Sequence, residues 1–258
     1  MLTAITRAVS PTLAKCELTC RDREPIDVGR ASMEHANYLA ILFELGIEVI
    51  TIPADPELPD CVFVEDQAFV LDELAVITRS GARSRRAERD AIAQELSQLR
   101  PLQWIQKPGR IDGGDILRLG RRLFVGRSSR SDDEGLRQLA KIVHPLDYEV
   151  IAMPMKGCLH LKSACCPVGE GRVIANRDWI DDAVLDSIEI IDVPKTEPYG
   201  ANVLTIKNHA IVSAAHPQTE QLLREQGLTT HRVDNTELLK AESGVTCCSL
   251  LVDRRLSA

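Results

Sequence analysis

The sequence predicts a closed α/β ring of five blades, on three observations. Five short apolar stretches each run into a small polar turn: Ile5-Thr6-Arg7, Ile77-Thr78-Arg79, Phe124-Val125-Gly126-Arg127, Val173-Ile174-Ala175-Asn176-Arg177 and Ile211-Val212-Ser213. Taken at Ile77, Phe124, Ile174 and Ile211 they recur at steps of 47, 50 and 37 residues, a spacing typical of repeated supersecondary units. Amphipathic stretches of helical period follow several of them, and each is preceded by another apolar segment with a tight polar link, the mark of a hairpin.

Taken in order, LTAITRAV forms the first strand, followed by a helix around Ala31 to Leu45 and a strand over Glu48 to Ile52. VEDQAFVLD opens the second unit, with a helix in AERDAIAQELSQL from Ala87, and GGDILRLG opens the third, with DEGLRQLAKIV from Asp133 as its helix. HLKSACCPVG opens the fourth, and NVLTIKN the fifth, with QTEQLLREQG from Gln218. TCCSLLVD at the C-terminus is then the natural partner of the N-terminal strand. Closure of this kind covers strand edges that would otherwise be exposed. The expectation is one domain over residues 1–258; an ordinary layered α/β domain is the plainer alternative.

Composition narrows the function. The chain carries 31 basic and 38 acidic side chains, a formal net charge of -7, and only four Phe, three Tyr and two Trp. An acidic balance without a Lys/Arg run argues against nucleic acid and favours a small cationic ligand. No window approaches the roughly 18 apolar residues of a membrane span, so a cytoplasmic metabolite enzyme is expected. The eight cysteines include no C-x-x-C, and the pairs Cys165-Cys166 and Cys247-Cys248 are poor zinc spacings because neighbouring strand residues face opposite ways.

The reactive side chains fall at matching points of the repeat. Asp66, Asp112, His160 and Cys247 each open the first strand of a hairpin, and equivalent positions in a ring converge on its axis. Taken singly, each has a plainer reading: a buried strand cysteine, a structural strand histidine, carboxylates in polar turns. Together they predict two acids, an imidazole and a thiol at one hub. Glu65 and Asp66 precede an apolar strand, so burying them calls for a cation. Asp115 is expected to bond its own glycine loop while Asp112 faces the site. Arg85 and Arg130, on the rim, would clamp a carboxylate.

The segments LPDCVFVED, ITRSGARSRR, IDGGDIL, LHLKSACC, YGANV and GVTCCSLLV resemble, in order and over essentially the whole chain, the dimethylarginine dimethylaminohydrolase family of the guanidino-modifying pentein superfamily. The resemblance implies a five-bladed ββαβ propeller that hydrolyses Nω-methylated L-arginines to L-citrulline and an amine. It implies Cys247 as nucleophile, His160 as proton donor, and Glu65, Asp66 and Asp112 around the guanidinium. It places Asp60 and the backbone of Leu18 at the α-amino group, Arg85 and Arg130 at the α-carboxylate, and Phe63 and the main chain of Ala241 along the substrate. Asp112 is shorter than the Glu of some relatives, and Ala241 replaces a bulkier aliphatic residue.

No metal or organic cofactor is implied; the one metal expected is an inhibitory zinc trapped by Cys247 and His160. A methylated arginine is the expected partner, with neither nucleic acid nor membrane, and the oligomeric state is open, a homodimer included. Free arginine or agmatine as substrate, and a non-catalytic metabolite-binding ring, are the competing readings. Residues 13–30 have loop composition, which suits a mobile cover over the site and equally an inert surface.

Overall fold

The computed structural model describes residues 1–254 and contains five three-stranded sheets. The first unit comprises β1 (Leu2–Arg7), α1 (Val28–Glu44) and β2 (Glu48–Ile52). The second comprises β3 (Ala68–Val70), β4 (Ala75–Ile77), α2 (Arg89–Leu96) and β5 (Leu102–Trp104). The third runs through β6 (Ile116–Leu119), β7 (Arg122–Arg127), α3 (Asp133–Val143) and β8 (Glu149–Pro154). The fourth has a one-turn helix α4 (Leu161–Ala164), then β9 (Cys165–Pro167), β10 (Arg172–Ala175) and β11 (Glu189–Asp192). The fifth is β12 (Leu204–Ile206), β13 (His209–Ser213), α5 (Pro217–Glu225) and β14 (Thr229–Val233), followed by the short α6 (Thr236–Leu239) and β15 (Leu250–Asp253).

In every sheet the central strand pairs antiparallel with one neighbour and parallel with the other. The antiparallel partner is a hairpin neighbour in four sheets. In the first it is β15, whose pairing of Asp253 with Leu2 closes the ring. The parallel pairing needs a crossover, and α1, α2, α3 and α5 supply it. Asp27 and Asp132 start α1 and α3 by accepting the amides of Arg30 and Gly135. The fourth crossover contains only a 3-10 turn, Asp182–Val184, which accords with the lack of a helical period there.

Each apolar core lies between two neighbouring blades. Val76 and Leu71 of the second blade pack with Leu123 and Val125 of the third, whereas Phe124 turns to the other face and joins Cys165 and Val173 of the fourth. Cys166 and Ile174 face the fifth blade. This period of two explains why the central strands read as continuous apolar runs: both faces are buried. It also separates the adjacent cysteines Cys165 and Cys166 onto different interfaces. The apolar residues are consumed between blades, so the hub is left to polar side chains, among them Asp66, Asp112, Asp115 and His160, all 5% exposed or less.

Candidate active site

The reactive residues sit one short turn upstream of the strands that were expected to carry them. Asp66 lies in a 3-10 turn, Val64–Gln67, that leads into β3. Asp112 precedes the turn Gly113–Asp115 before β6. His160 is the residue before α4, so LHLK is not a strand, and Cys247 precedes β15 by a turn. A turn re-aims side chains inward that a strand would alternate between its two faces. The hub is tight enough to require glycine: a Cβ on Gly114 would lie 2.7 Å from Asp66 Oδ1 and 2.8 Å from His160 Nδ1.

His160 stands between two carboxylates. Its Nε2 is 3.2 Å from Asp112 Oδ2 and its Nδ1 is 3.6 Å from Asp66 Oδ1. Burial alone would lower its pKa, but the charge of Asp66, the hydrogen bond to Asp112 and the charges of Asp115 and Asp112 raise it from 6.5 to about 9. The imidazole is therefore a cation at neutral pH. In return, burial of Asp66 is outweighed by the charges of His160 and Arg85, which bring its carboxyl down to about 2.

Around this pair the network is dense. Asp112 accepts the Gly81 amide at 2.9 Å. Asp115 accepts hydroxyls from Ser128 and Ser131 at 2.5 and 2.6 Å and the Leu161 amide at 3.0 Å, so its carboxylate serves neighbouring loops and not, as expected, its own glycine loop, where only its amide bonds the Asp112 carbonyl. It thereby ties the His160 turn to the third blade, and burial raises its carboxyl to about 6. Glu65 accepts Lys162 Nζ and Thr246 Oγ1, both at 2.7 Å, and its amide donates to the Cys247 carbonyl at 3.1 Å.

Cys247 is the half-buried member of its pair, while Cys248 is buried in an apolar cluster. The Gly244 amide donates to its sulfur at 3.3 Å. Burial, then Glu65 and Asp66, push the thiol well above its ordinary value of 9.0. Without a cation beside it, Cys247 is protonated.

A narrow cavity brings together Asp60, Phe63, Asp66, Arg85, Arg130, His160, Ala241 and Cys247. Asp112 and Glu65 are not on its wall: they lie behind it, holding His160 and Lys162. Leu18 is half-buried beside Asp60, which accepts the Glu17 amide through both oxygens at 3.2 and 3.1 Å. Arg85 departs from the expected rim position. It is 4% exposed and donates to Glu88 from Nε and Nη2, to the Phe63 carbonyl at 3.2 Å and to Asp66 at 2.6 Å. Arg130 donates to Thr19 Oγ1 at 2.9 Å through Nη2. On this wall two buried atoms make no hydrogen bond, the acceptor Asp66 Oδ1 and the donor Arg130 Nη1; each has an oppositely charged neighbour at 3.6 Å, His160 Nδ1 and Asp112 Oδ2 respectively.

Among the described residues, the side chains close enough to share a cation are Asp66, Asp112 and His160, with ligand atoms within 4.8 Å of one another. Cys247 is outside this group of three. Lys162, Asn202, Thr246 and Glu88 were missed by sequence reasoning. Lys162 carried the clearest signal, a charge inside the apolar run LHLKSACC, and Glu88 stood three residues after Arg85.

A five-bladed ring with a thiol, an imidazole and carboxylates on its axis defines a pentein of the guanidino-modifying kind. The chain matches the family described as N,N dimethylarginine dimethylhydrolase, eukaryotic, over residues 17–250, and it belongs to that family. It is 36% identical over 249 residues to the N(G),N(G)-dimethylarginine dimethylaminohydrolase of Streptomyces coelicolor, covering 96% of this chain and 95% of the relative. It is 30% identical over 226 residues to the enzyme of the same name from Pseudomonas aeruginosa, covering 87% of this chain and 89% of the relative. A solved structure of the Pseudomonas aeruginosa enzyme, a Cys-to-Ser variant complexed with citrulline, matches with a TM-score of 0.92 at 28% identity over 97% of this chain and 99% of that one. The N-terminal domain of ArgZ, a cyanobacterial arginine dihydrolase, shares the fold with a TM-score of 0.85 at 19% identity over 98% of both chains.

Proposed function

We propose that the chain hydrolyses Nω,Nω-dimethyl-L-arginine and Nω-methyl-L-arginine to L-citrulline with release of dimethylamine or methylamine. The observation that carries this reading is a pair of buried atoms in one cavity wall that make no hydrogen bond, an Asp66 carboxylate oxygen and an Arg130 guanidinium nitrogen. A free amino acid with a cationic side chain complements both at once. Buried groups of this kind are costly until a partner arrives.

In this mechanism the guanidinium binds against Asp66, and Arg130 takes the α-carboxylate. Arg85, saturated by Glu88, Phe63 and Asp66, fixes Asp66 from behind. Asp60 and the Leu18 backbone receive the α-amino group, and Phe63 and Ala241 line the side chain. The arriving cation reverses the electrostatics that kept Cys247 protonated, and the thiol proton leaves to solvent. The thiolate adds to the central guanidinium carbon. His160, already a cation, gives its proton to the methylated nitrogen; the C–N bond breaks and the amine departs, leaving a thiouronium on Cys247. Neutral His160 then takes a proton from water as the hydroxide adds to the same carbon. Breakage of the C–S bond, with the added hydroxyl's proton passing to the departing sulfur, yields citrulline and restores the thiol. Asp112 orients the imidazole throughout.

Every group named comes from one chain, and no step calls for a metal or cofactor. Among the described residues no helix is long and apolar enough to cross a membrane; a single pentein domain working in the cytoplasm suits the reading. The test is a citrulline assay with dimethylarginine, monomethylarginine, arginine and agmatine in parallel. The two methylated arginines should be turned over in preference to both others. Preference for arginine or agmatine would reassign the substrate, and binding without citrulline would leave a non-catalytic ring.

A further inference from the structure

The cover segment over the site is held by one carboxylate whose position in the chain gives it a further role. Glu242 accepts three consecutive backbone amides, those of Thr19, Cys20 and Arg21, at 2.8, 2.5 and 2.6 Å. Three adjacent N–H groups converging on one anion form a charge-assisted clasp, stronger than neutral hydrogen bonds. The same segment reaches the site at other points. The Glu17 amide meets Asp60, Thr19 Oγ1 accepts from Arg130, and Arg21 lies 4.8 Å over the Tyr199 ring while donating to the Leu239 carbonyl at 3.2 Å.

Glu242 stands five residues before Cys247, immediately after Ala241, and lines the substrate cavity. It also lines a neighbouring cavity that shares Leu159 and Ser243 with the first and is bounded by Cys20 and Arg21. Its backbone is left-handed, with φ of 58°, a conformation that disfavours any residue with a Cβ and that glycine would adopt freely. The carboxylate is kept where the backbone alone would favour glycine. Covering residues Thr19–Arg21 and the nucleophile's loop are thus joined through one side chain.

Resting on the dimethylargininase reading, we propose that Glu242 is a positioning residue: its carboxylate latches residues 19–21 over the bound substrate and sets Leu18 and Thr19 against the amino-acid end of the ligand. It touches neither the reacting carbon nor the leaving amine, so its loss is read in substrate capture before chemistry. Exposed residues Asp22 to Pro25 follow the latch, which makes the bonds after Arg21 and Arg23 a direct report on whether the segment is held.

The experiment compares wild type with Glu242→Gly, which keeps the left-handed backbone and deletes the carboxylate, and with Glu242→Gln, which keeps the size and places amide hydrogens against the amides. Both variants should raise KM for dimethylarginine about tenfold or more, with kcat falling less, as expected for lost binding contacts. Limited trypsin digestion should cut faster after Arg21 and Arg23 in both, and citrulline should protect wild type better than either variant. Unchanged KM together with wild-type cleavage rates would overturn the latch. If wild type turned over no methylarginine, the functional reading would fall, and the cleavage rates without ligand would still decide whether Glu242 holds the segment.

Discussion

The approaches to the fourth and fifth blades occupy matching places in the ring and do different work. His160 precedes β9 and Asn202 precedes β12. Asn202 is saturated inside the protein: its Nδ2 donates to the Lys162 carbonyl at 2.9 Å and to Thr246 Oγ1 at 3.1 Å, and its Oδ1 accepts the Thr246 amide at 3.1 Å. Asn202 lines the neighbouring cavity with these bonds already made, whereas His160 lines the reactive cavity between two carboxylates, and the Asp66 oxygen it faces makes no hydrogen bond. Neighbours Glu65 and Asp66 divide the same way, the first engaged through both oxygens and the second through one. Position on the hub makes a residue available; unsatisfied valence makes it chemical.

Substituting each side of that comparison should give different phenotypes. His160→Gln should lower citrulline formation by about 10²–10⁴, the range for loss of a general acid, with the fold intact by circular dichroism; a loss below tenfold would remove His160 from proton transfer. The same variant tests the electrostatics. A histidine raised from 6.5 to about 9 contributes stability that is fully present below pH 6.5 and is lost as pH rises through 9. Denaturation midpoints should therefore fall between these pH values in wild type and less in His160→Gln, and parallel profiles would contradict the shift.

Lys162→Met leaves Glu65 buried without its cation and should cost about 3–5 kcal/mol of stability, measured by urea unfolding; a cost near zero would mean that the Lys162–Glu65 pair does not hold this part of the hub. Asn202→Ala should cost less, about 1–3 kcal/mol, because it strands the Thr246 amide. Activity in Asn202→Ala should survive better than in His160→Gln. If Asn202→Ala were the more damaging to chemistry, the division between saturated and available hub residues would be wrong.

The ring was legible because its central strands are buried on both faces and so appear as short apolar runs at repeated steps. Ile77, Phe124, Ile174 and Ile211 mark them without ambiguity. The approach turns were not legible: Asp66, Asp112, His160 and Cys247 sit next to apolar residues that look like strand, and nothing local distinguishes a 3-10 turn two to four residues long. The inward aim of the four side chains came from repeat position, whereas the partners that silence Glu65 depend on contacts across the ring. Thr246 lies 181 residues from Glu65. The pairing of Asp115 with Leu161 crosses blades in the same way, and no window of sequence contains both ends.

The central claim is that the thiol of Cys247, protonated in the empty site, becomes the nucleophile once a cationic substrate lies against Asp66. Acid quenching during turnover of dimethylarginine, followed by peptide mass spectrometry, tests it most directly. The account predicts a substrate-derived thiouronium on the peptide containing Cys247, absent in Cys247→Ser and absent without substrate. A modified Cys248, or full citrulline production with an unmodified Cys247 throughout the time course and in its Ser variant, would contradict it.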